Sequence, residues 1–212
     1  MKILHIIAGA EQGGAESCAV DTIRALHNAG IEQIMISRPH GAFLTLVRDC
    51  AIDHHILSFN QILKWTQKAK INAIIKKEKP DLVHCWLNRA ASFTPHQKTV
   101  PVLGWFGGYY DLKYYKSCDF FMGVTKDIVR YIGTVTNAPD RAYVGHAFGT
   151  LEPMGEVKKS DYGISDTTKV VLMLSRMHWK KGVDLLIDAA SKIDDVVFLY
   201  HLIMFLYDKV YY

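Results

Sequence analysis

Arg176 and Lys181 stand five residues apart in "LSRMHWKKGVDLLIDAA", between an apolar run and a helical pattern, with Gly182 at the helix start. Arginine offers a planar fork of donors and lysine a compact point charge, and the two together suit a diphosphate. In a cleft, such a pair stabilises the charge that develops on a departing phosphate. On an open surface it is an ordinary solvated feature.

A second loop, "AGAEQGGAESCAV" at 8–20, follows the apolar run "MKILHII" and leads into another helical pattern. Its glycines, Gly9, Gly13 and Gly14, are spaced G-x-x-x-G-G. A dinucleotide fingerprint needs G-x-G-x-x-G and an acid at the end of the second strand, where this chain has Ser37 and Arg38. Arg38 is the residue that would face a 2′-phosphate, but the glycine spacing disfavours that site. No Gly-Lys-Ser/Thr follows, so a P-loop is excluded. Two readings stay open for Gly13 and Gly14. One is a flexible turn before a helix N-terminus that lets an anion approach the backbone. The other is a strand-to-helix turn that needs glycine for geometry alone.

Trp105, Phe106, Gly107, Gly108 and Tyr109, in "GWFGGYYDLKYY", fall where a strand ends. Ligands of α/β sheets collect at such ends. Rings there either pack on the apolar face of a sugar or fill the core, and the sequence leaves both open. His84, in "LVHCW", lies inside a strand and reads as a hydrogen-bonded structural residue. His178 reads as exposed, and His54-His55 carry no motif. No D-x-D and no cluster with metal-ligand spacing occurs, and the adjacent Asp194-Asp195 read as solvated.

The elements that must position these residues alternate. "KILHIIA", "IEQIMIS", "HHILSF", "DLVHCW", "VPVLGWF", "DFFMGVT" and "AYVGHAF" read as strands. Helical spacing marks residues 15–29, "FLTLVRDC", the lysine-rich 62–79 that stops at Pro80, and "KDIVRYI", which Thr125 caps. Residues 149–168 are polar, rich in turn formers and aperiodic, a linker. The rhythm restarts with strand "KVVLMLS", helix "VDLLIDAASKI" and strand "DVVFLY". Near-continuous apolar strands separated by helices predict an α/β fold with a doubly wound parallel sheet. The expected organisation is a domain over 1–150, a linker over 151–168, the start of a second domain over 169–200 and an atypical tail over 201–212.

Half of the 212 residues are apolar, enough to bury a sizeable core and to exclude global disorder. The net charge of +4 is unevenly spread: residues 60–79 carry six lysines against Glu78 alone. Such a helix suits anionic lipid or an acidic substrate. A solvated helix face is the plainer reading, because no clean apolar seam runs opposite the lysines. Nothing in the sequence points to nucleic acid. Cys18, Cys50, Cys85 and Cys118 stand far apart with no C-x-x-C pair, as expected of small buried hydrophobes in a reducing cytosol. The longest apolar stretch, at 196–207, has twelve residues against the roughly 20 that a spanning helix needs. The expected location is the cytoplasm, including its membrane face.

In order along the chain, "GGAE", "KPDLVHCW", "VTKDIVRYI" and "LSRMHWKKGVDLLIDAA" resemble the signatures of the family 4 retaining glycosyltransferases of GT-B fold. The likeness covers residues 1 to about 199, and the R-x-x-x-x-K-G loop in its strand–loop–helix setting is its most specific part. The family binds a nucleotide-sugar between two Rossmann-like domains, with the acceptor on the first and the donor mainly on the second. The resemblance implies that Arg176 and Lys181 grip the donor diphosphate and carry catalysis, with Gly13 and Gly14 closing over it. It implies a carbohydrate or lipid-linked acceptor, retention of configuration, no metal or other cofactor, and a place in envelope polysaccharide or lipopolysaccharide synthesis. Many relatives carry a histidine where this chain has Phe106, so the contact made by that histidine is lost here.

The family pattern continues past "DDVVFLY" through a small-residue turn into further βα units holding an E-x(7)-E pair. This chain reads "HLIMFLYDKVYY" instead. The expectation is a truncated or frame-shifted second domain with impaired transfer. Two rival classes stay open: a non-catalytic sugar- or membrane-binding module, and an NADP-dependent oxidoreductase.

Overall fold

A computed structural model describes residues 1–11, 13–149, 155–175 and 177–202. The chain divides into two compact units, Met1–Leu151 and Glu152–Tyr212.

The first unit is built on seven parallel strands: β1 (Lys2–Ile7), β2 (Glu32–Ser37), β3 (Asp53–Ile56), β4 (Leu82–Trp86), β5 (Val102–Phe106), β6 (Phe120–Gly123) and β7 (Ala142–Val144). Their order in the sheet is β3-β2-β1-β4-β5-β6-β7, so the chain winds outward from β1 and then, from β4, in the other direction. Right-handed crossovers therefore send the helices of the two halves to opposite faces. Helices α1 (Gly14–Asn28) and α2 (Gly41–Asp49) pack on one face. The helices α3 (Lys64–Glu78), α4 (Leu87–Phe93) and α5 (Lys126–Thr136) pack on the other.

Side chains alternate across each strand and so feed two cores. Leu4, Ile6, Ile34, Ile36, Val83 and Cys85 meet Ile71 and Ile75 of α3 and Ile128 and Ile132 of α5. Ile7, Met35, Trp86 and Trp105 meet Cys18, Ala19 and Ile23 of α1 and Phe43 and Leu46 of α2. Both faces of the central strands are covered, which is why they read as unbroken apolar runs.

Local chemistry sets the helix ends. Gly30 takes φ +75° after α1, and the N–H groups of Gly30 and Ile31 bond His27 O and Leu26 O, a Schellman closure. Lys79 adopts the left-handed conformation at φ 49° before Pro80, where a right-handed residue would clash with the proline ring. Thr125 Oγ1 accepts from Ile128 N at 3.1 Å and starts α5.

The structure adds what the sequence pattern missed. The helix α4 directly follows β4, although the two flanking segments read as successive strands. The strand β7 has three residues, shorter than "AYVGHAF" suggested. The buried seam of α3 is Gln67, Ile71 and Ile75. Its polar first member disguises it: Gln67 accepts from Phe59 N at 2.7 Å and donates to Ser58 Oγ at 2.9 Å, tying the loop before α3.

A polar thread runs through the α1 side of the sheet. Trp86 Nε1 donates to His5 Nδ1 at 3.2 Å, His5 Nε2 lies 3.0 Å from Gln33 Oε1, and Gln33 Nε2 donates to Ile23 O at 3.0 Å. Tryptophan can only donate, so His5 carries its proton on Nε2 and gives it to Gln33. Burial pushes the His5 pKa down to about 4. His84, paired with His5 across β1 and β4, is also buried, and its Nε2 has no partner among the described residues.

Among its described residues the second unit has two parallel strands, β8 (Lys169–Ser175) and β9 (Val196–Leu202), joined through α6 (Val183–Ala190). Tyr200 Oη donates to Ser175 O at 3.0 Å across the pair. Leu172, Leu174, Leu185 and Ile187 of β8 and α6 are exposed.

Candidate functional site

The candidate residues fall at two places, one in each unit. In the first unit, neighbouring strands β1 and β4 lead away in opposite directions, and the crevice beyond their C-terminal ends is where doubly wound sheets seat ligands. Gly13 N-caps α1 there without a side-chain cap, and Gly14 is the first helical residue.

Glu16 decides what these glycines do. Its side chain folds back from the first turn of α1, and Oε1 accepts from Ala10 N at 2.9 Å. A Cβ built on Gly9 or on Gly13 would run into the Glu16 carboxylate, whereas one on Gly14 meets nothing within 4 Å. Gly13 lies at φ 172°, an extended conformation open to any residue. Its glycine identity therefore reflects the close approach of Glu16. The negative charge favoured at this helix end is supplied by the chain itself. Gly14 alone leaves the backbone open to an incoming group.

Around this loop sit Arg38, which the sequence already marked at the end of the second strand, and Arg89 and Tyr110. Arg38 Nε donates to Ser58 O at 3.1 Å and Nη1 to Gly9 O at 3.3 Å, linking the loops after β1 and β3. With those donors engaged on backbone carbonyls, Arg38 serves the loops and is not set aside for a 2′-phosphate. Burial, and then the nearby charge of Arg89, lower the Arg38 pKa. Burial, and then the Glu16 charge, raise that of Tyr110. Leu87, the first residue past β4, holds φ +66°, a strained conformation for a bulky side chain. Glu16 was visible in "GGAE"; Arg89 and Tyr110 carry no motif.

The stretch 105–109 separates by burial. Phe106 is 0% exposed and stacks on Tyr115 with ring centroids 4.0 Å apart. Trp105 is 4% exposed on the opposite face, 5.3 Å from Trp86 between centroids. Neither ring presents a face to a sugar, because alternation along β5 points one into each core. Gly107, Gly108 and Tyr109 reach the surface. Gly107 is confined by Trp105, whose Cη2 would lie 2.5 Å from an added Cβ. Tyr109 donates to Asp127 and packs edge-on against Tyr131. That contact with Asp127 also raises the Tyr109 pKa.

In the second unit the loop after β8 carries Lys181, while Arg176 lies outside the described residues. A single 3-10 turn, Trp179–Lys181, is closed at its start by His178, whose Nδ1 accepts from Lys180 N at 3.2 Å. Gly182 then takes φ +67°, a left-handed step that glycine makes without strain, and α6 begins with Leu186 N bonding Gly182 O. Lys181 is exposed at this corner beside a helix N-terminus with no side-chain cap, an arrangement of positive charge and free N–H groups suited to phosphate.

Among the described residues no three His, Cys, Asp or Glu side chains come together as a metal site, and no helix is long and apolar enough to cross a membrane.

No family model matches the chain. Two curated proteins of Rhizobium meliloti (strain 1021) are similar to it. Lipopolysaccharide core biosynthesis glycosyltransferase LpsD is 25% identical over 197 residues, covering 92% of this chain and 57% of its own length. Lipopolysaccharide core biosynthesis glycosyltransferase LpsE is 28% identical over 204 residues, covering 92% of this chain and 58% of its own. The chain thus spans less than two thirds of these relatives. Among solved structures, a glycosyltransferase from Rickettsia africae ESF-5 matches with a TM-score of 0.71 at 21% identity, over 94% of this chain and 59% of that one. Anabaena Alr3699/HepE, solved in complex with UDP, matches with a TM-score of 0.69 at 15% identity, over 94% of this chain and 60% of that one. The fold is therefore the α/β Rossmann-like architecture of GT-B glycosyltransferases.

Proposed function

We propose that the chain serves glycosyl transfer in lipopolysaccharide core biosynthesis, drawing on a nucleotide-sugar donor. The observation that carries this reading is the corner after β8. There Lys181 and Gly182 stand at an uncapped helix N-terminus, within a segment similar in sequence to lipopolysaccharide core glycosyltransferases. Lys181, with Arg176 earlier in the same loop, meets the donor diphosphate. The leaving group gains negative charge as the glycosidic bond breaks. A fixed cation and free backbone N–H groups at that point stabilise the transition state more than the ground state.

The finer parts of the reading follow from the family 4 resemblance. Transfer proceeds with retention and without a metal. A carbohydrate or lipid-linked acceptor uses the first unit, where Gly107, Gly108 and Tyr109 reach the surface past the end of β5. The chain works in the cytoplasm at the inner face of the membrane, with the lysine-rich 60–79 segment toward anionic lipid. Calorimetry with a panel of nucleoside diphosphates and their monophosphates tests the donor assignment. One diphosphate binds, and its monophosphate binds at least about tenfold more weakly. No binding across the panel, or equal binding of mono- and diphosphate, contradicts the assignment.

A further inference from the structure

Two arginines stand at the C-terminal edge of the first sheet without a counter-charge. Ser37, Ile7 and Trp86 lie in one register row across β2, β1 and β4, so the residues that follow them adjoin at the switch point. Arg38 is the first residue past β2. Leu87, at φ +66°, turns the chain from β4 directly into α4, which puts Arg89 only three residues past Trp86. The loop after β1 runs between them. Arg38 Nη1 donates to Gly9 O at 3.3 Å, and Nε donates to Ser58 O at 3.1 Å. These bonds fix the guanidinium and leave Nη2 without a partner among the described residues. The exposed Arg89 side chain has no hydrogen bond and no ion pair among them.

Elsewhere in the unit arginines find acids. Arg24 and Arg48 pair with Asp49, and Arg130 pairs with Asp127. Glu16, the carboxylate of the glycine loop, is turned to Ala10 N and joins no ion pair among the described residues. Each arginine at the edge therefore feels the other, and after burial it is the Arg89 charge that lowers the Arg38 pKa. Two unneutralised guanidinium groups within electrostatic reach repel, and an oxyanion between them removes the repulsion. Arg89 offers its whole fork and Arg38 the two N–H groups of Nη2, donors that match a carboxylate or a phosphate. One strand further along the same edge, Trp105 of β5 is in register with Trp86, and Gly107, Gly108 and Tyr109 reach the surface past it. Neighbouring strands lie about 4.8 Å apart, so the arginine pair and this surface adjoin.

We propose that Arg38 and Arg89 hold an oxyanion of the acceptor, so that the sugar receiving the transfer is acidic, bearing a carboxylate or a phosphate ester. This rests on the placing of the acceptor on the first unit and adds a charge requirement to it. The arginines select among acceptors and take no part in the transfer step.

NMR titration of the full chain with glucuronate, glucose 6-phosphate and glucose tests it, with inorganic phosphate as a fourth probe. Both acidic sugars bind at least about tenfold more tightly than glucose, with shifts at Gly9 and at 87–89, and the tighter of the two identifies the anion. Arg89→Gln removes an exposed side chain with no partner to lose. It weakens both acidic sugars about tenfold or more and leaves the urea midpoint unchanged. Arg38→Gln weakens them as well. Arg89→Lys keeps part of the affinity, because it retains the charge without the fork. Arg24→Gln, on α1, leaves the affinities as they were. Glucose binding as tightly as its acidic derivatives overturns the charge requirement and leaves the acceptor reading standing. Binding of no sugar at all overturns both. Acidic-sugar affinity indifferent to Arg89, or inorganic phosphate matching glucose 6-phosphate, overturns the proposal. So does a loss of nucleoside-diphosphate affinity in Arg89→Gln, which would give the pair to the donor.

Discussion

The carboxylate of Glu16 accepts a hydrogen bond from the backbone N–H of Ala10 at 2.9 Å, reaching back across the glycine loop from the helix that the loop leads into. The loop is therefore shaped from inside, and its glycines differ in kind. Gly13→Ala and Gly9→Ala each push the Glu16 carboxylate away from the Ala10 N–H and are expected to destabilise by about 0.5–1.5 kcal/mol, the loss of that hydrogen bond. Gly14→Ala, in open space at the first helical position, is expected to stabilise by about 0.5–1 kcal/mol. Urea unfolding of the three variants checks the contrast. Equal effects at Gly13 and Gly14 contradict it.

Stability should fall with acid in a defined window. His5 is fully enclosed, and burial moves its pKa from 6.5 to about 4. Above the unfolded value both states are neutral. As pH drops through it, the unfolded ring takes a proton that the folded one refuses, so stability is lost down to about pH 4, by roughly 3 kcal/mol in all. His84, buried and also lowered, acts in the same direction. Urea midpoints measured at neutral pH and near pH 5 should differ, and His5→Gln should shrink the difference. A midpoint indifferent to pH in this window refutes the account.

Phe106 belongs to the core and not to a sugar platform. Its ring stacks on Tyr115, whose hydroxyl donates to Trp105 O at 3.1 Å, so removing it opens a cavity beneath the end of β5. Phe106→Ala should cost about 3–5 kcal/mol by chemical denaturation. Tyr109→Ala, 63% exposed, should cost under about 1 kcal/mol. The reverse ranking would return Phe106 to the surface.

Thr125→Ala should destabilise by about 1 kcal/mol, because it leaves the Ile128 N–H at the start of α5 without its cap. Thr125→Ser should restore most of that loss in the same melt.

The elements that the sequence disclosed are those whose burial is uniform. "KILHII" and "LVHCW" are covered on both faces, so their apolar runs mark them directly. The helix α4, "LNRAASF", is seven residues long, too short for a helical period to declare itself. The pair Trp105-Phe106 shows a different limit. A strand end is readable, but how far neighbouring strands and loops extend past it is not, and that extent decides whether two aromatic rings are platform or core. Glu16 could be read as part of "GGAE", whereas its return to Ala10 is a fact of three-dimensional closure. Arg38 was legible at the end of a strand, but Arg89 joins it only through the sheet order.

The central claim is that the corner after β8 receives the donor diphosphate, and NMR titration of the full chain with the preferred nucleoside diphosphate tests it most directly. Lys181→Ala should weaken binding about tenfold or more, as expected for loss of a hydrogen bond to a charged group. Lys180→Ala, its neighbour in the same turn, lies over the Trp179 ring at 5.3 Å and should leave the affinity unchanged. Selective loss at Lys181, with shifts centred on Gly182 and the start of α6, is the predicted result. Equal losses at both lysines, or an affinity indifferent to Lys181, would contradict it.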